Sequence, residues 1–172
     1  AEKDSSRALV ALARGYVWSR IDSSGAHFHP GRAADAFILA AGLLPKADWA
    51  PWARGQAAYL LGRERRFVES MMQARKAIKG APEGPGRAHW EITRGFSLIQ
   101  LGKVSEGMDV VVNSVNGTPP EDGHIRFESR RVIAHILWLS GEFARASQVA
   151  DLILAETPIA ARHPQWDMLW SR

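Results

Sequence analysis

The chain has 172 residues, no cysteine and a formal net charge of +4. That length supports one domain of ordinary size with a buried core, and the absence of thiols excludes disulfide frameworks, thiolate metal sites and cysteine nucleophiles. The basic excess is local, with seven basic and two acidic residues between 54 and 79, which argues against a general nucleic-acid binder and leaves open a solvated basic face or a surface for an acidic partner or lipid.

No stretch approaches the roughly 18 apolar residues of a membrane-spanning helix. The longest apolar-rich run, 33–44, is broken by Asp35 and Gly42. The chain starts at Ala1 without methionine, which suggests an excised or processed product. A cysteine-free domain suits cytosol and periplasm alike.

In chain order, Ser5-Ser6 read as helix N-caps, and Leu9, Leu12, Ala13, Tyr16 and Val17 follow at helical spacing over 5–22. A second helix spans about 32–44 through Phe37, Ala40, Ala41 and Leu44 and stops at Pro45. A third begins near Asp48 with Pro51 in its first turn and breaks at Gly62. A fourth covers 67–79, and the Pro/Gly-rich loop 80–86 follows it. The fifth, 87–101, carries Trp90, Phe96, Leu98 and Ile99. The sixth, 104–115, is rich in β-branched residues that would suit a strand, but its place in the repeat argues for helix. The seventh and eighth, 125–139 and 143–156, form the clearest pair. A short last helix at 164–171 brings Trp166 and Trp170 one turn apart, as a cap. The class is all-α, built from antiparallel helix pairs.

A spacing organises these helices. Phe67–Ser70–Pro82, Val104–Gly107–Pro119 and Phe143–Ala146–Pro158 share one pattern: a bulky residue, a small one three positions on, and proline at fifteen. Gly62, Gly102 and Gly141 precede them, and Gly55, Gly95 and Ala134 lie seven residues before those glycines. Measured on the glycines the period is 39–40 residues, the range of stacked helical hairpins. In this register the turn Gly62–Phe67 holds three extra residues and the first turn, 25–30, is also lengthened.

The last hairpin, Ser140-Gly-Glu-Phe-Ala-Arg-Ala146 followed by Pro158, resembles the second half of a tetratricopeptide repeat. The likeness covers 48–158 well and 5–45 loosely. It departs from the family in its period, against 34 residues there, and in Arg54 and Arg94, which stand where a large apolar residue is usual. It implies a single domain over 1–172: a right-handed superhelix of about four hairpins (5–45, 48–82, 87–119, 125–158) with a C-terminal cap over 164–172. It also implies a non-catalytic scaffold in a larger bacterial assembly, of the secretion, envelope or polysaccharide kind, that holds a partner peptide or helix on its concave face. The alternative is a ligand- or inhibitor-sensing segment of a multidomain bacterial transcription regulator.

In such a superhelix the first helix of each pair lines the concave side. The aligned stripes are Trp49, Trp52, Gln56 and Tyr59; His89, Ile92, Phe96 and Ile99; and Glu128, Arg131, His135 and Trp138. They read as aromatic anchors for a peptide or helix, or in part as core between repeats. Arg63, Arg65 and Arg66 form a second candidate, for an acidic partner or phosphate groups. The pair His27 and His29 lacks further evident metal ligands, and neither a nucleophile elbow nor a phosphate-binding loop is present. No catalytic residue, metal or cofactor is expected, and neither nucleic acid nor a membrane span.

Overall fold

The computed structural model describes residues 2–20, 28–116 and 123–156. Among them the chain is all-α, with eight helices and no strand: α1 (Glu2–Ser19), α2 (Pro30–Leu43), α3 (Ala50–Arg63), α4 (Phe67–Gly80), α5 (Pro85–Gln100), α6 (Val104–Asn116), α7 (Gly123–Leu139) and α8 (Phe143–Glu156). The expected last helix at 164–171, its two tryptophans, and the closing prolines Pro119 and Pro158 lie outside the described residues. Pro30 and Pro51 sit in the first turns of α2 and α3, where a missing amide hydrogen costs no helical bond. The β-branched run 110–112 is helical in α6, because Val111 is buried in the core and Val110 and Val111 pack beside Gly95 of α5, so propensity yields to tertiary contact. Ser5 and Ser6 do not cap α1, which starts at Glu2 and carries them inside its first two turns.

The helices pack as adjacent pairs, α1 on α2, α3 on α4, α5 on α6 and α7 on α8, and each pair packs on the next through α2–α3, α4–α5 and α6–α7. First helices also meet one another, α3 with α5 and α5 with α7. Among the described residues the second helices make no comparable packing with each other.

The hairpin turns overturn the expected insertion. Gly62 is not a turn residue; it lies inside α3. The residue that turns the chain is Arg65, at φ 61°, in the role that Gly102 (φ 82°) and Gly141 (φ 79°) fill downstream. All three turns carry the same pair of hydrogen bonds. Arg66 N donates to Leu61 O at 2.9 Å, Lys103 N to Leu98 O at 2.9 Å and Glu142 N to Leu137 O at 2.8 Å. Arg65 N, Gly102 N and Gly141 N donate three residues back, to Gly62 O, Ile99 O and Trp138 O. This is the Schellman arrangement, which needs a left-handed residue just past the helix end. The three turns are equal in length, and the hairpins recur 37 and then 39 residues apart. An arginine in left-handed backbone is strained by about 1 kcal/mol or more. We expect Arg65→Gly to raise stability by about 0.5–1 kcal/mol after the added freedom of the unfolded chain is subtracted, read as a higher urea midpoint at unchanged slope.

The corrected register also moves the small residues. Ala58, Gly95 and Ala134 stand twelve positions before Ser70, Gly107 and Ala146, and all six are buried. Gly95 and Gly107 bring α5 and α6 into backbone contact. Ser70 Oγ donates to Ala58 O at 2.7 Å and lies 2.8 Å from Ser97 Oγ on α5. Ser97 Oγ also reaches Thr93 O at 2.9 Å, so two hydroxyl protons serve three short contacts and tie the second hairpin to the third. Gly55 receives the face of the buried Trp90 of α5.

Two cores result. Ala33, Ala34, Phe37, Ala41, Ala53, Ala57 and Leu61 join α2 to α3, and Ile92, Ile99, Val111, Val132 and Ile136 join α5, α6 and α7. Arg54, anomalous by sequence, donates to Ala41 O in the last turn of α2 at 3.1 Å and to Gln73 Oε1 of α4 at 3.3 Å. Its charge therefore sits against the negative end of the α2 dipole.

Candidate functional site

The first helices carry aromatic rings on one common side, and those rings touch across hairpin boundaries. Tyr59 of α3 lies 6.1 Å from His89 of α5 between ring centroids, and His89 meets Trp90 edge-on at 4.8 Å. Phe96 of α5 lies 6.4 Å from His135 of α7, which stacks on Trp138 at 6.5 Å with an interplanar angle of 18°. Nearer the N-terminus, Trp52 meets the buried Phe37 edge-on at 5.5 Å. Such spacings are those of attractive aromatic pairs. The rings keep substantial open surface: Trp52 and Tyr59 are 40% exposed and Trp138 58%.

The heptad-like spacing of Trp52, Tyr59, His89, Phe96, His135 and Trp138 explains the shared side, since residues three, four and seven apart superpose on a helix. Not every expected residue joins them. Ile99 is 8% exposed and belongs, with Ile92, to the second core, so neither offers surface to a partner. Both sit on the flank of α5 that turns towards α6 and α7. Trp49 immediately precedes α3 and packs against the first core. Gln56 and Arg131 are half-buried, and the side chain of Glu128 lies outside the described residues. Phe67 was legible only as a hairpin residue, yet its ring meets Phe96 edge-on at 6.2 Å, so a second helix also supports the face.

His135 is a titratable group of this surface. Burial, and then the neighbouring charge of Arg131, push its pKa below the usual histidine range. Both causes favour the neutral ring, which stacks on Trp138 without carrying a charge.

The arginine turn is mostly occupied by the protein itself. Arg66 makes a bidentate contact with Glu69, both distances 2.7 Å, and reaches Asp35 of α2 at 3.5 Å. The hydrogen bonds from Arg66 hold the Glu69 carboxyl below its usual range. The guanidinium of Arg63 lies 4.8 Å over the ring of Phe28. Arg65 is the left-handed turn residue. What reads as a free basic cluster is thus a fastening between the α3–α4 turn and the first hairpin, with Arg65 left exposed.

His29 precedes α2 and is exposed, while His27 lies outside the described residues. No group of three or more metal-ligating residues converges among the described residues, and no helix among them is long and apolar enough to cross a membrane. No protein-family model matches the chain, and no curated protein matches it in sequence.

Proposed function

We propose that this chain is a tetratricopeptide-like stack of helical hairpins that binds a peptide or helix of another protein along α3, α5 and α7. In this reading it performs no chemistry of its own and serves as a scaffold part of a larger assembly. Contact of α3 with α5 and of α5 with α7, with no comparable packing between second helices among the described residues, is what a superhelix with the first helices on its inner side would produce. The observation that carries the binding reading is the pair of ring contacts that cross hairpin boundaries, Tyr59–His89 and Phe96–His135, next to the open rings of Trp52 and Trp138. Rings held by neighbours on rigid helices lose little freedom on binding, so a large share of the contact energy becomes affinity. Tryptophan and tyrosine are also the side chains that most often dominate interface energies. The test starts from peptides selected on the wild-type protein from a random displayed library. They should bind Tyr59→Ala and Trp138→Ala much more weakly while retaining affinity for Phe143→Ala, an equally open ring on α8.

A further inference from the structure

A second surface, independent of the aromatic face, lies between α1 and α2. A groove of about 600 Å³ runs there, floored by Val10 and Ala11 of α1 and by Leu39 of α2, with Arg7, Arg14 and Arg32 among its lining residues. Val10 is 52% and Leu39 50% exposed. The α2 residues that line it, Arg32 and Leu39 among them, are not those that pack into the first core, such as Ala33, Phe37 and Ala41.

The charge along the groove says what fits it. Arg54, Arg63 and Arg66 are each engaged by a carbonyl, a ring or a carboxylate. Among the described residues no acid pairs with Arg7, Arg14 or Arg32, and Asp35, the acid in the lining, is turned to Arg66. Arg7 and Arg14 are seven residues apart, so their heads stand two helical turns, about 10 Å, from each other along α1.

We propose that the α1–α2 groove docks an amphipathic helix of a partner protein. Its apolar seam lies on Val10, Ala11 and Leu39, and acidic residues two turns apart on it meet Arg7 and Arg14. The apolar seam supplies contact area, and the carboxylates fix register and orientation through charge-assisted hydrogen bonds.

Two fluorescein-labelled designed helical peptides test it, with the same leucine seam and either glutamate or lysine flanks, titrated against the whole chain by anisotropy. The glutamate peptide should bind at least tenfold tighter than the lysine peptide. The double variant R7E/R14E should reverse that preference and keep the thermal midpoint of the wild type, since both side chains are exposed. Equal binding of the two peptides would overturn the proposal, as would an unchanged preference in R7E/R14E. Loss of glutamate-peptide binding on Trp138→Ala would assign the peptide to the other face and overturn it too. A chain that binds phosphatidylglycerol vesicles through the same arginines, with no preference between the peptides, would contradict it in favour of a lipid surface.

Discussion

Gly107→Val should lower the stability of the protein by about 3 kcal/mol, the upper range for forcing extra carbon into a packed interior. A Cβ at Gly107 would lie 2.6 Å from the carbonyl oxygen of Gly95 and 2.6 Å from Cγ1 of Ile99. One of these neighbours is backbone, so no rotamer change relieves the clash; α5 and α6 must move apart. That separation would also open the second core, because Ile99 and Val111 both belong to it. For a chain of this size, 3 kcal/mol corresponds to a fall of roughly 6–12 °C in melting temperature, measured by circular dichroism. Gly42 of α2 is the internal control, since a Cβ there meets nothing within 4 Å. Gly42→Ala should cost nothing and gain up to about 1 kcal/mol from helix propensity. A loss below about 1 kcal/mol for Gly107→Val would mean that the two helices do not meet at this point.

Removing the rings of the first-helix face should have the largest effect on binding. Trp138→Ala and Tyr59→Ala should each weaken a selected peptide by about 2 kcal/mol, close to thirtyfold in affinity. Both rings are open to solvent, so their removal should leave the fold nearly as stable as before. Trp138 stacks on His135, which packs in turn towards Phe96. A double change at Trp138 and Phe96 should therefore depart from the sum of the single changes, as residues that share a packed partner often do. Phe143 is 62% exposed on α8, and its loss should leave affinity unchanged. A uniform loss across all three sites would point to general adhesion of exposed rings rather than to a face.

Much of the fold was legible because helices announce themselves through period and punctuation. The proline at 51 and the glycines at 102 and 141 mark where helices start and turn, and the observed boundaries fall within three residues of those expected. Arg65 was not legible. A left-handed turn is inferred from glycine, and an arginine held there by two Schellman hydrogen bonds leaves no mark in residue type. Gly62 was therefore read as the turn, and an insertion was inferred that does not exist. The error was three residues, close to one helical turn, so it displaced Gly55 onto the place of Ala58 without changing which side of α3 faces inward. The stripe through Trp52 and Tyr59 stayed readable for the same reason. Ile99 was misread because a stripe three and seven residues deep includes both an open centre and a buried edge, and only the neighbouring helices decide which is which. The internal contacts of the arginine cluster were not legible either. Composition counts charges, but Arg66 finds Asp35 at a separation of 31 residues, a pairing that exists only once α2 lies beside the turn.

The proposed partner lies along the first helices. Hydrogen–deuterium exchange of the protein with and without a selected peptide tests that placement most directly. Bound peptide should slow exchange in α3, α5 and α7 together, strongest in the segments around Tyr59, Phe96 and His135, and leave α4, α6 and α8 at their free rates. Protection concentrated in α4, α6 or α8, with α5 and α7 unchanged, would contradict it.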